Sequence, residues 1–107
     1  MVRPRVYEAM VILPGNTEQE TVEAFIERFR TLLETQGATV REARIWDKRK
    51  FAYEIKRVNE GIYLLFRFES LPAAAEELRR VLGITETVLR FRIFCLEPEE
   101  ATALAQR

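Results

Sequence analysis

Residues 38–69 read ATVREARIWDKRKFAYEIKRVNEGIYLLFRFE. Positions 38–57 alternate strongly and are rich in β-branched and aromatic residues, which predicts one long strand, bent or bulged near Asp47. Asn59-Glu60-Gly61 has the composition of a hairpin turn, and the apolar positions 62–69 predict the next strand. The two strands follow each other directly, and this arrangement limits the architectures open to the chain.

A strand and a helix are predicted before this hairpin. Residues 6–13 are rich in strand formers, and the stretch from Thr17 to Glu20 fits a helix capping box. Gly37 stands where a helix end needs a left-handed residue. Between them, apolar residues recur at spacings of three and four: Val22, Phe25, Ile26, Phe29, Leu32 and Leu33.

A helix and a strand are predicted after the hairpin. Ser70-Leu71-Pro72 opens the helix, because proline is tolerated in a first turn, and Gly83 is expected to end it. Its buried stripe is predicted to be Leu71, Ala74, Ala75, Leu78, Val81 and Leu82. Positions 88–96 predict the last strand.

The predicted order is strand, helix, strand, strand, helix, strand. This order consists of two strand–helix–strand units. With right-handed crossovers, the two units most readily form a four-stranded antiparallel sheet with both helices on one face. This is an α+β fold, the ferredoxin-like split βαββαβ arrangement. We expect a single domain over residues 1–97, followed by a short acidic C-terminal tail over 98–107.

Composition excludes several classes of function. Seventeen basic and seventeen acidic residues cancel, so the chain does not coat nucleic acid by bulk charge, and any contact with it needs a local patch. The absence of histidine removes the commonest general base, and no glycine-rich phosphate loop is present. We therefore expect no enzyme, no metal site and no cofactor.

Cysteine usage and hydropathy indicate the compartment. The single cysteine, Cys95, excludes a disulfide framework and favours the cytoplasm. It falls on a core position of the last strand and is predicted to be a buried apolar residue. No segment approaches the roughly twenty apolar residues of a membrane span.

Strand alternation predicts which side chains face the helices. The inward set is Tyr7, Ala9, Val11, Leu13, Ile62, Leu64, Phe66, Phe68, Leu89, Phe91, Ile93 and Cys95. The outward set is too apolar for a wet surface: Met10, Ile12, Tyr63, Leu65, Phe94 and one of Phe51 or Tyr53, beside Arg67, Arg90 and Arg92. It predicts a docking face with a basic border. The alternatives are that the chain's own tail covers this face, or that the protein self-associates.

The segment 46–57 gathers cations and aromatic rings within the long strand. Lysine and arginine neutralise phosphates and rings stack on bases, so this composition suits a nucleic acid. The alternative for Lys48-Arg49-Lys50 is a charged edge strand that resists aggregation.

These residues resemble the family of the sixth protein of the bacterial small ribosomal subunit, over nearly the whole chain. The resemblance rests on Tyr7-Glu8, Trp46, Lys48-Arg49-Lys50-Phe51-Ala52-Tyr53, Ile55-Lys56, Gly61-Ile62-Tyr63 and Val88-Leu89-Arg90-Phe91, in order and at the family's spacing. It implies the same ferredoxin-like fold. It also implies a cytoplasmic, ribosomal protein that binds the central domain of small-subunit ribosomal RNA together with the eighteenth protein of that subunit.

The resemblance also implies site residues. RNA contacts are expected at Arg3, Arg5, Lys48, Arg49, Lys50 and Arg90, and contacts with the partner protein at Phe51, Tyr53, Tyr63 and Leu65. The chain departs from the family at Asp47, where glycine is common, at Glu54, where proline is common, and at Phe51, where leucine is frequent. Asp47 is expected to weaken the local positive field.

Three other uses of the same topology are weighed against this one. An RNA-recognition motif needs a basic residue and a first ring that Glu60-Gly61-Ile62-Tyr63-Leu64 lacks. An acylphosphatase-like enzyme needs a glycine-rich anion loop in place of Pro14-Gly15-Asn16-Thr17. A ligand-sensing or regulatory module that dimerises through its sheet is the alternative that stays open, and light scattering distinguishes it.

Overall fold

The computed structural model describes residues 3–96, so the predicted tail at 98–107 lies outside the described residues. The elements are β1 (Arg5–Pro14), α1 (Gln19–Thr35), β2 (Thr39–Ile55), β3 (Val58–Ser70), α2 (Pro72–Ile84) and β4 (Arg90–Cys95). All strand pairs are antiparallel, in the order β2-β3-β1-β4. The ferredoxin-like α+β prediction is therefore confirmed. Within 3–96 no helix is long and apolar enough to cross a membrane.

The core lies between one side of the sheet and the two helices. The central strands supply its middle, where six side chains have no exposed surface: Ala9, Val11, Leu13, Leu64, Phe66 and Phe68. The helices pack on them through Val22, Phe25, Phe29, Leu33, Ala74, Ala75, Leu78 and Leu82. Each large apolar side chain buried here contributes about 1.5–3 kcal/mol, so this layer supplies most of the driving force for folding.

The predicted capping box of α1 is wrong. The helix begins at Gln19, and its N-cap residue, Glu18, makes no side-chain capping bond. The Thr17 hydroxyl instead donates to the Pro14 carbonyl at 2.7 Å and closes the turn after β1. The predicted helix end is confirmed. Gly37 has φ +86°, and the amides of Gly37 and Ala38 donate to the carbonyls of Glu34 and Leu33, the pattern of a Schellman motif.

Two predictions for α2 are also wrong. The helix passes Gly83 and ends at Ile84, because Thr85 caps it: its hydroxyl donates to the Val81 carbonyl at 2.6 Å. Leu71 precedes the helix as its N-cap residue and is half exposed, so it does not belong to the buried stripe.

Cys95 is exposed, which corrects its predicted place in the core. Burial falls steadily along β4: Leu89 just before it is buried, Phe91 and Ile93 are half-buried, and Cys95 is the last residue of the strand. The reason is that β4 lies at an edge of the sheet and has a neighbouring strand, β1, on one side only.

The hairpin between β2 and β3 turns at Lys56-Arg57, not at 59–61. Ile55 pairs with Val58, and the two residues between them have φ of 50° and 66°. Positive φ at both positions is what a type I′ turn requires, and asparagine and glycine usually supply it. The predicted bulge near Asp47 is confirmed, since the β2–β3 register shifts between Ile45 and Asp47.

Gly61 therefore lies inside β3 and serves a different purpose from a turn. A Cβ atom at this position would lie 2.5 Å from Cζ of Phe51 and 2.6 Å from Cγ2 of Ile12. Because glycine has no side chain, the Phe51 ring can lie directly against the sheet at this position.

We predict that Gly61→Ala lowers the free energy of unfolding by about 1–3 kcal/mol, because the added methyl group overpacks this contact. Gly83→Ala is the matched control: beyond its chain neighbours and the backbone of its own helix, no atom lies within 4 Å of the added Cβ, and the helix should gain up to about 1 kcal/mol. Urea denaturation measures both. A Gly61→Ala variant as stable as the parent chain would contradict the packing described here.

Candidate functional site

The side of the sheet opposite the helices is the candidate site, and we call it the open face. Strand register arranges its side chains in three rows that cross the sheet from β2 to β4. The rows are Glu42–Arg67–Glu8–Phe94, Arg44–Leu65–Met10–Arg92 and Asp47–Tyr63–Ile12–Arg90. In the second and third rows the two middle columns are uncharged and the outer columns are charged. Within residues 3–96 no helix covers this side.

In the first row, the charge of the arginine is neutralised by neighbouring carboxylates. The Arg67 guanidinium lies 2.6 Å from the Glu42 carboxylate and 3.6 Å from that of Glu8, and only 16% of its side chain is exposed. Arg67 was expected among the outward cations of the face. Its outward direction is confirmed, but it adds no free positive charge to the face, because two carboxylates already neutralise it.

The cations that remain free lie on β4, and we call Arg90 and Arg92 the basic border. Within residues 3–96 neither forms an ion pair. The Arg92 guanidinium lies 4.9 Å from the ring centre of Phe94, which is 42% exposed. The border therefore presents positive charge next to an accessible aromatic ring.

A groove of about 760 Å³ runs along the basic border. On the sheet side the groove is lined by Met10, Ile12 and Tyr63. On the opposite side it is lined by residues 82–86 and 88–89, which form the end of α2 and the segment after it. Lys56, from the β2–β3 turn, also lines it. The groove joins apolar side chains to three cations, Lys56, Arg90 and Arg92, and to one acidic residue, Glu86.

The predicted RNA-binding cations are distributed over two ends of the sheet. Arg5 pairs with Ser70, whereas Arg49 pairs with Gly61, and nine residues of strand separate the two levels by about 30 Å. Arg3 precedes Arg5 at its end. Arg90 lies at the other end, one row from Arg49.

Lys48-Arg49-Lys50 does not form one patch. Lys48 pairs with Ile62, a core residue, so alternation places Lys48 and Lys50 towards the helix side and Arg49 on the open face. Only Arg49 of the three shares a surface with Arg90.

The predicted partner-binding residues are closer together. Tyr63 and Phe51 lie on the open face, Phe51 over Gly61. Tyr53 stands on the hairpin and is 71% exposed. Leu65 occupies the second row, but only 2% of its surface is exposed. The predicted direction of Leu65 is right, and its expected accessibility is wrong, because its long neighbours in the row, Met10 and Arg44, leave it little surface.

Trp46 is the residue that the sequence-based prediction of the site omitted. It is the extra residue at the bulge between Ile45 and Asp47, and it is 41% exposed. Its ring lies 6.0 Å from that of Tyr63, and the Arg49 guanidinium lies 4.6 Å from its ring centre. The predicted bulge was the available signal, because a bulge re-aims the side chains beside it.

Asp47 completes this cluster. Its Oδ2 accepts a 2.8 Å hydrogen bond from Arg49 Nε, and its Oδ1 accepts one of 2.8 Å from the Lys48 amide. The hydrogen bond from Arg49, helped by the one from the Lys48 amide, lowers the pKa of the Asp47 carboxyl below its usual value. Asp47 therefore stays ionised at neutral pH and is bound to a cation that lies on an aromatic ring.

The chemistry of the site is that of binding. Within the described part of the chain, no group of histidine, cysteine, aspartate and glutamate is arranged to hold a metal ion. Apolar side chains, exposed rings and a few free cations suit a surface that takes up a protein and an RNA backbone.

Comparison with known proteins gives one consistent result. The family model described as Ribosomal protein S6 matches residues 6–94. The small ribosomal subunit protein bS6 of Paenarthrobacter aurescens is 39% identical over 102 residues, which cover 95% of this chain and 99% of the relative. That of Desulforamulus reducens is 43% identical over 89 residues, 83% of this chain and 94% of the relative.

A solved structure agrees with the sequence relatives. The crystal structure of 30S ribosomal protein S6 from Thermotoga maritima has a TM-score of 0.84 at 31% identity, covering 98% of this chain and all of that one. The family resemblance seen in the sequence is thus confirmed, and with it the expectation of a non-enzymatic protein of the cytoplasmic ribosome. The chain belongs to the ribosomal protein S6 family and is a structural protein of the bacterial small ribosomal subunit.

Proposed function

We propose that the protein binds the central domain of small-subunit ribosomal RNA as a pair with the eighteenth protein of that subunit, during subunit assembly. The observation that carries the proposal is the open face. Its middle is apolar, its β4 edge is cationic, and no helix within residues 3–96 covers it. An adaptor between a protein and an RNA needs both kinds of surface.

The apolar middle is the part suited to the partner protein. Met10, Ile12 and Tyr63 are half-buried in the isolated chain and line the groove beside β4. Covering them with apolar side chains of another protein removes this area from water, which favours association. The Phe51 ring over Gly61 extends the same surface towards the hairpin.

The cations are the part suited to RNA, and their small number explains why a partner is needed. The net charge of the chain is zero, and the cations in the second and third rows of the open face and just beyond them are Arg44, Arg49, Arg90 and Arg92. Arg44 and Arg49 are each paired with a carboxylate. Each neutralised phosphate adds about 0.7–0.9 to the slope of log affinity against log salt. Two or three such contacts give weak, salt-sensitive binding, and a second protein on the face would enlarge the positive surface.

The partner interface is tested with Met10→Glu, which places a carboxylate in the middle of the open face. We expect at least about a ten-fold loss of affinity for the purified partner protein by calorimetry, since docking would remove the new carboxylate from water, a cost that pairing with Arg92 across the strand repays only in part. Gln19→Glu makes the same charge change on an exposed position of α1 and should have no effect. Circular dichroism verifies that both variants fold.

Two results would contradict this assignment. One is partner affinity in Met10→Glu equal to that of the parent chain. The other is a parent chain that light scattering shows to be a dimer and that Met10→Glu makes monomeric, because the open face then serves self-association, as in the regulatory alternative.

The RNA surface is tested in the complex with the partner, using a central-domain fragment of small-subunit ribosomal RNA. Arg49→Glu and Arg90→Glu should each weaken binding about ten-fold, and Arg90→Gln should lower the salt slope by about 0.7–0.9. Arg79→Glu reverses a charge on the exposed surface of α2 and controls for net charge. Unchanged affinity in both Arg49→Glu and Arg90→Glu would show that RNA binds elsewhere.

A further inference from the structure

One arginine of the open face is held in a fixed position. The Arg49 guanidinium lies on the Trp46 ring, 4.6 Å from its centre, and its Nε donates to Asp47 Oδ2 at 2.8 Å. Within residues 3–96, the two terminal nitrogens of Arg49 donate no hydrogen bond. The side chain is 55% exposed, so the ring and the carboxylate hold the guanidinium while its outer edge faces solvent.

The bulge in β2 is what brings these groups together. In a regular strand, Trp46 and Asp47 would point to opposite sides of the sheet. The register shift between Ile45 and Asp47 removes that alternation, and Trp46 contacts both Arg49 and Tyr63. Asp47 and Arg49, two residues apart, share the open face through ordinary strand geometry.

An arginine held in this way binds anions differently from a mobile one. Its two terminal nitrogens form a planar fork that matches two oxygens of one phosphate. A long side chain normally loses rotamer freedom when it binds, and a side chain that is already fixed loses less. The carboxylate that neutralises part of the charge also sets the direction of the fork.

We propose that Asp47 is a positioning residue for RNA binding: it holds Arg49 on the Trp46 ring so that the free edge of the guanidinium donates two hydrogen bonds to a phosphate of the RNA backbone. The inference rests on the proposed function, and it adds which group binds the phosphate and how that group is oriented. It also reverses the expectation that Asp47 only weakens the positive field.

The two roles considered for Asp47 predict opposite changes in RNA affinity when this residue is removed. If Asp47 only reduces the local positive potential, its removal raises the net charge by one and strengthens RNA binding. If Asp47 orients Arg49, its removal releases the guanidinium and weakens RNA binding in spite of the added positive charge. The sign of the change therefore decides between them.

The experiment uses the complex of this protein with its partner protein and measures how tightly that complex binds the central-domain RNA fragment. Four forms of this protein are compared: the parent chain, Asp47→Ala, Arg49→Lys and the double variant. We expect Asp47→Ala to weaken binding about five-fold. Arg49→Lys should weaken it about as much with an unchanged salt slope, because lysine keeps the charge and loses the fork. In the Arg49→Lys background, Asp47→Ala should cause no further loss, because the two residues act as a unit.

The outcomes separate this inference from the proposed function. Tighter binding by Asp47→Ala, while Arg49→Glu still weakens binding, would overturn the positioning role and leave the RNA site standing. No effect of Arg49→Glu would remove the RNA site at this position altogether. Equal affinity of Arg49→Lys and the parent chain would overturn the two-pronged phosphate contact.

A second measurement examines the Asp47–Arg49 contact in the free protein. Asp47 is the only aspartate of the chain, so its side-chain carboxyl carbon gives one unambiguous NMR signal. Because the Arg49 hydrogen bond lowers the pKa of Asp47, its titration midpoint should lie below the ordinary aspartate value. The contact is then complete at neutral pH and is lost only as the pH falls through that lowered midpoint.

The matched variants are Arg49→Met and Arg44→Met. Arg49→Met should raise the midpoint towards the ordinary value, incompletely, because the Lys48 amide still donates to Asp47. Arg44→Met removes a cation that is bound to Glu42 instead and should leave the midpoint unchanged. An Asp47 midpoint that does not respond to Arg49→Met would show that the contact is absent in solution, and the positioning role would fall with it.

Discussion

The complete burial of alternate residues on β1 and β3 is the constraint on which the rest of the molecule depends. Six side chains of these two central strands have no exposed surface. A slip of one residue would carry all of one strand's core side chains to the other side of the sheet. The register that keeps Phe66 and Val11 in the core therefore also keeps Met10, Ile12 and Tyr63 on the open face. The same alternation of side chains therefore forms the core on one side of the sheet and the binding surface on the other.

This constraint also explains what could be predicted from the sequence. The inward residues of β1 and β3 recur with a period of two, although Gly61 and Leu65 on the other side of β3 are buried as well, and the buried positions of α1 follow its helical period. Both patterns report burial directly. The order of elements follows from them, and so does the ferredoxin-like topology, because few arrangements of two helices and four strands bury all these stripes on one side.

Burial patterns also misplaced Cys95 and Leu71, which lie at the ends of their elements and are exposed. The other predictions that failed concern features that a burial pattern does not report. The turn at Lys56-Arg57 carries none of the residues that normally mark positive φ. Trp46 faces the open side because a bulge interrupts the alternation, and Leu65 is covered although it points outwards. Arg67 is outward by position, yet two carboxylates from neighbouring strands neutralise it. Such pairings depend on register between distant segments.

The place of β1 in the middle of the sheet has a consequence for how the molecule is made. Tyr7 pairs with Cys95 on one side and with Phe68 on the other, so β1 pairs only with strands that are synthesised well after it. Closing such long loops carries an entropy cost before any contact repays it, and this slows folding. A nascent chain that stops before β4 lacks one whole partner of its central strand, so the sheet is completed only when the polypeptide has reached Cys95.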